Sequence, residues 1–135
     1  MRKVLLESFK QDKQMPMKFY QYEKCSTCRK ASAWLLEKGI EFSSLPIRER
    51  PPTMKELKAM VDAHGGEIRK LFNTSSKDFR DPELKALLPT LSAKQLLDLL
   101  RERGNLIKRP FLVGDGICLQ GFKAEAWEKP FSKLF

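Results

Sequence analysis

Nothing in this chain of 135 residues is apolar for long enough to cross a bilayer. Runs such as Leu96 to Leu100 are short and broken by charge, whereas a membrane helix needs roughly 20 apolar residues. The amino end, MRKVLLESFKQDKQ, has only Val4, Leu5 and Leu6 in a row before Glu7. That is not the core of a secretory signal, so a cytoplasmic location and no membrane partner are expected. Cysteine is scarce: three residues fit no disulfide framework, and a reducing cytoplasm disfavours structural disulfides. Histidine occurs once, at His64, and no second cysteine pair stands at zinc-ligand spacing, so no metal site is expected. A Ser/His/Asp grouping, a phosphate-cradling glycine loop and paired catalytic carboxylates are also missing, as are repeats and low-complexity tracts.

What is present suits one soluble domain able to bury a core without staples: 41% hydrophobic and 32% charged residues. The formal charge is +9, from 26 basic and 17 acidic residues. The basic residues are scattered as Lys/Glu mixtures with no arginine-rich run, so direct nucleic-acid binding is not expected. A solvated positive surface, or attraction to an acidic protein or anionic substrate, explains the charge better.

Residues 1–16 read as an N-terminal extension, either disordered or a short amphipathic helix using Val4, Leu5 and Phe9. The domain proper is expected over 17–135. Lys18 to Tyr22 is an aromatic-rich strand candidate, Cys25 to Lys38 a helix stopped by Gly39, and Glu41 to Ile47 a second strand. Strand, helix, strand implies a parallel pair with a right-handed crossover. A helical insertion at about 53–104 follows. Thr53/Glu56 and Ser92/Gln95 form capping boxes, Leu91 and Leu96 stand at staple spacing, and shorter helical pieces fall at about 67–72 and 81–88. The second long helix carries Leu96, Leu99 and Leu100 and stops at Gly104. Phe111 to Val113 and Ile117 to Leu119 flank Gly114-Asp115-Gly116, a hairpin signal, and a closing helix at about 123–129 packs through Trp127. The order βαβ, helical insertion, ββα predicts an α/β thioredoxin-like fold, a short mixed sheet flanked by helices.

The segment Lys24-Cys25-Ser26-Thr27-Cys28-Arg29-Lys30 carries the chemistry. A CxxC between strand and helix puts the first sulfur at the helix N-terminus, where free N–H groups and the dipole favour an anion. Such positions bring a thiol from about 8.5 into the range of roughly 3.5–7.5, and Lys24, Arg29 and Lys30 push the same way. Cys28, a turn further on, can reach back to resolve a mixed disulfide or sulfenic acid. The competing reading is a pair of inert core thiols.

Pro110 opens the strand after the insertion. In a thioredoxin-type fold that proline is cis with its backbone facing the active cysteine; a trans proline at a strand's first residue is the plain alternative. Arg109 would then stand near the cysteine, able to hold an oxyanion or a glutathione carboxylate, and would otherwise be a solvated arginine. Cys118 reads as a buried small hydrophobe, and His64 as a packing or capping residue.

In combination and order, KCSTCRKASAWLLEKGIEF, Leu71-Phe72-Asn73-Thr74-Ser75, Leu88-Pro89-Thr90, Ile107-Lys108-Arg109-Pro110 and Gly121-Phe122-Lys123 resemble the arsenate reductase-like family. That family of thioredoxin folds includes glutaredoxin-linked arsenate reductases, YffB-type proteins and Spx regulators. The resemblance covers about residues 17–129. It implies that Cys25 is the nucleophile and Arg109 the arginine before the cis-proline. Lys24, Ser26, Thr27, Arg29, Asn73 and Pro110 are the candidate substrate-binding residues. Two further arginines hold the oxyanion in the arsenate reductases of the family; here their positions fall at Asn73 and near Gln120 or Gly121. Losing two of three charge-assisted donors should cost several kcal/mol, which argues against arsenate as the substrate.

Two readings stand. One is a thiol-dependent reductase with Cys25 attacking and Cys28 resolving, no bound cofactor, and glutathione or another small thiol, glutaredoxin or thioredoxin as reductant. The other follows from the CxxC followed by Arg-Lys-Ala, which is similar to the Spx branch. There the pair is a disulfide switch and the protein binds the α subunit of RNA polymerase. A monomer is expected in either case.

Overall fold

The computed structural model describes residues 17–132; the expectations for 1–16 lie outside the described residues. The elements are β1 (Met17–Gln21), α1 (Ser26–Glu37), β2 (Phe42–Pro46), α2 (Met54–Ala63), α3 (Pro82–Leu87), α4 (Ala93–Glu102), β3 (Phe111–Gly114), β4 (Ile117–Gln120) and α5 (Ala124–Phe131). Short 3-10 turns at Ile68–Leu71, Leu88–Thr90 and Gly104–Leu106 link the insertion. The sheet runs β2-β1-β3-β4. β1 is parallel to β2 and antiparallel to β3, and β3 is antiparallel to β4. This is the mixed sheet that the sequence order predicts.

Strand alternation divides the core in two. Phe19 and Leu112 join Ala31, Trp34 and Leu35 of α1 and Trp127 and Phe131 of α5 on one face. Tyr20, Phe111 and Val113 join Leu57 and Met60 of α2 and Leu97 and Leu100 of α4 on the other. The sheet is therefore sandwiched between α1/α5 and the helical insertion, which fixes the ends of β1 and β3 on both sides.

Local signals explain the element ends. Both capping boxes are formed, with Thr53 and Ser92 each accepting from the third helical N–H while Glu56 and Gln95 reach back. Asp115 (φ 53°) and Gly116 (φ 77°) make the two-residue hairpin turn that right-twisted strands favour. Gly104 is required for a different reason: a Cβ there would lie 1.9 Å from the Ile47 carbonyl oxygen.

The differences from the sequence expectations are small and physical. β1 ends at Gln21, because Tyr22 leaves the ladder and its carbonyl accepts from Cys25 N–H at 3.0 Å. Phe42–Pro46 is the paired part of the segment expected over 41–47. The piece at 67–72 is a 3-10 turn, because Phe72 turns extended and bridges to Ile107. In α4 the innermost residues are Leu97 and Leu100, one turn apart, with Leu96 and Leu99 half-buried beside them. The last helix continues past Lys129 to Phe131, whose ring is fully buried.

Candidate active site

The strand-to-helix junction places the dithiol. Cys25 is the N-cap of α1, in extended conformation, and its Sγ accepts the backbone N–H of Cys28 at 3.2 Å. A sulfur there occupies the place a Ser or Asp oxygen takes in other caps, facing a helix end that favours negative charge. Cys25 is half-buried and Cys28 is 1% exposed. Burial pushes the Cys28 thiol up to about 12, helped by its hydrogen bond to Cys25. A backbone hydrogen bond from Tyr22 and the charge of Arg109 oppose that shift. The resting pair is thus asymmetric, one sulfur open and the other a buried proton carrier. All three cysteines are free thiols.

Arg109 comes from the segment leading into β3, the strand paired with β1. The Arg109-Pro110 bond is cis, the geometry the fold class led one to expect. The guanidinium carbon of Arg109 lies 4.9 Å from the Tyr22 ring centre, and that of Arg48 lies 5.0 Å from the same ring. Cation–π attraction to one aromatic so draws two arginines to the Cys25 loop. Arg109 is half-buried, not the solvated arginine of the alternative reading.

An open cleft of about 690 Å³ runs from Cys25 across the end of the sheet. Cys25, Thr27, Asn73 and Arg109 line it together. Lys24, Ser26 and Arg29 are exposed and are not among its lining residues, nor is the buried Pro110. Lys108, Arg109 and Lys123 supply positive charge, and no lining residue carries a carboxylate. The cleft can therefore receive an anionic or polar thiol compound next to one reactive sulfur.

Two residues reach this cleft that their sequence context did not place there. Cys118 is half-buried rather than buried, packs against the core and also lines the cleft, with burial and the charges of Asp62 and Glu56 pushing its thiol up. His64 caps α2 as expected, its Nδ1 bonded to the Met60 carbonyl at 2.9 Å, and lines the same cleft. Because a carbonyl only accepts, Nδ1 carries the proton in this arrangement. Only the packing of β4 beside α2 brings both residues to Cys25's cleft, and no local signal in the sequence announces it. Among the described residues no cluster of three or more metal-ligating side chains occurs, and no helix is long and apolar enough to cross a membrane.

A four-stranded mixed sheet, a CxxC at the cap of α1 and a cis-proline just before β3 define a thioredoxin-like protein. The chain belongs to the ArsC family, whose model matches residues 20–130. It is 42% identical over 115 residues to the protein YusI of Bacillus subtilis, covering 85% of this chain and 98% of YusI. To the global transcriptional regulator Spx of Enterococcus faecalis it is 32% identical over 106 residues, covering 78% of this chain and 79% of Spx. Among solved structures, an ArsC family related protein from Bacteroides fragilis superposes with a TM-score of 0.76. The two are 42% identical, and the match covers 85% of this chain and 97% of that one.

Proposed function

We propose that the protein is a thiol-dependent reductase in which Cys25 attacks and Cys28 resolves. The observation that carries this reading is the capped Cys25 sulfur, which lines a cationic cleft and accepts the backbone N–H of Cys28, whose buried thiol is pushed toward its protonated form.

The Cys25 sulfur gives up its proton to solvent and attacks one sulfur of a disulfide. A Cys25–S bond forms, the substrate S–S bond breaks, and the departing thiolate takes a proton. Cys28 then loses its proton and attacks Cys25 Sγ, expelling the second thiolate and leaving a Cys25–Cys28 disulfide. Once Cys25 is in a mixed disulfide, its hydrogen bond and charge no longer hold the Cys28 proton, so Cys28 becomes easier to ionise at the step that needs it. Two molecules of a small thiol such as glutathione, or a dithiol protein of the glutaredoxin or thioredoxin type, return the pair to its reduced state. Asn73, Thr27 and Arg109 bind the substrate's polar groups, and the exposed Lys24, Ser26 and Arg29 steer it from outside. The test is glutathione-coupled reduction of a small disulfide. Cys25→Ser should lose turnover entirely, and Cys28→Ser should keep a fraction through direct glutathione resolution; activity in Cys25→Ser equal to wild type contradicts the reading.

The relation to Spx favours a second reading, a redox-switched regulator that docks on RNA polymerase α. Pull-down with the α subunit, in reduced and oxidised protein, separates the two. Binding that depends on the Cys25–Cys28 redox state supports the regulator, and absence of binding in both states removes it.

A further inference from the structure

We infer that Gln120 is a positioning residue for Arg109, acting as a strut between two loops. This rests on the reading of Arg109 as the cation beside Cys25. The Gln120 Nε2 donates to the Lys108 carbonyl at 2.9 Å and to the Leu71 carbonyl at 3.1 Å. Both amide hydrogens are thereby used, and the orientation is fixed, because the reversed amide would set its oxygen against two carbonyl oxygens. Gln120 Oε1 is buried and has no hydrogen-bond partner among the described residues, so within them the amide only donates.

The two carbonyls belong to the segments that present the cleft's polar groups. Lys108 O belongs to the peptide leading into Arg109, and Leu71 O lies two residues before Asn73. Leu71 O also accepts from Lys108 N–H at 2.8 Å, and Asn73 N–H donates to Leu106 O at 2.7 Å. The residue just after β4 completes the clamp: Gly121 N–H donates to the Pro110 carbonyl at 2.9 Å. Arg109 is thus held by hydrogen bonds on the residues before and after it, both from the end of β4. A long neutral amide at this point fixes where the neighbouring guanidinium stands and adds no cation of its own.

The experiment compares alkylation of Cys25 by iodoacetate and by iodoacetamide, located by peptide mass spectrometry. The anionic-to-neutral rate ratio reports positive charge at the sulfur and needs no turnover. Arg109→Met should lower the ratio about two- to fivefold, the size expected of one partly screened charge. Gln120→Met should lower it by a similar factor, and the double variant no further than Arg109→Met alone. Gln120→Leu is the second variant, should the unbranched side chain not pack. An unchanged ratio in folded Gln120→Met, beside a lowered one in Arg109→Met, overturns the strut while leaving Arg109 in the site. An unchanged ratio in Arg109→Met removes the cation from Cys25 and the strut's purpose with it. If both Gln120 variants only unfold, the amide holds the fold and not Arg109, which also overturns the proposal.

Discussion

Cys28 offers its backbone N–H to the sulfur of Cys25 at 3.2 Å while its own side chain is shut into the core under α1. One residue thus caps the helix with a neighbour's sulfur and stores a proton behind it.

That asymmetry makes a pH prediction. Cys28 is raised from an ordinary 9.0 to about 12 in the folded protein, first by burial. Above pH 9 the unfolded chain releases this proton while the folded chain retains it, so the contribution to stability is complete below 9 and lost as pH rises toward 12. Urea titrations of the reduced protein between pH ~8 and ~10.5 should show the alkaline decline becoming shallower in Cys28→Ala, by at most about 1.4 kcal/mol per pH unit. An identical slope in the variant would show that Cys28 ionises as freely in the fold as outside it.

Arsenate should bind poorly. The cleft has Arg109, but the positions that the resemblance assigns to the two other family arginines hold Asn73 and the Gln120-Gly121 pair, and these residues line the same space. Neutral amides offer weaker donors than guanidinium groups. Millimolar arsenate is expected to leave the rate of Cys25 alkylation unchanged, whereas clear protection would mean that one arginine suffices.

The packing of Gly104 predicts a large loss from a single methyl. Its Cβ position is occupied by the Ile47 carbonyl, with the Arg48 Cα also close at 3.1 Å. Both contacts are backbone and cannot swing away, so Gly104→Ala should cost about 1–3 kcal/mol or more. A lowered urea midpoint with an unchanged m-value is the expected result.

Tyr20 and Glu56 join the sheet to α2. The Tyr20 hydroxyl donates to Glu56 Oε1 at 2.7 Å, and Lys18 Nζ is 3.1 Å from Oε2. Burial pushes the Glu56 carboxyl up, but the Thr53 N–H, the Tyr20 hydroxyl and Lys18 outweigh it and hold it below its ordinary value. Its stabilisation is therefore present at neutral pH and lost as pH falls through the folded value. Tyr20→Phe should cost about 1–2 kcal/mol at neutral pH, and less once Glu56 is protonated. An equal cost at both pH values would assign the loss to packing alone.

What the sequence made legible was whatever is written in short stretches. The Thr53/Glu56 and Ser92/Gln95 boxes, the Asp115-Gly116 turn and the Cys25 cap each need only a few consecutive residues, and each stands where expected. Element ends moved where a tertiary contact decided them, as when Phe72 bridged to Ile107 and cut a helix to one turn. The site was readable in part: Cys25, Thr27, Asn73 and Arg109 do share a cleft. His64, Cys118 and the Gln120 strut were not, because each reaches the cleft through pairing of β4 with elements distant in the chain. The Arg48–Tyr22–Arg109 stack was hidden for the same reason.

The most direct measurement is trapping. Cys28→Ser protein is mixed with a small disulfide such as glutathione disulfide, quenched in acid and mapped by mass spectrometry. A mixed disulfide on Cys25 should persist in Cys28→Ser and, in wild type, pass on to a Cys25–Cys28 disulfide. Adducts that form equally on Cys118 and Cys25, or none on Cys25, would contradict it.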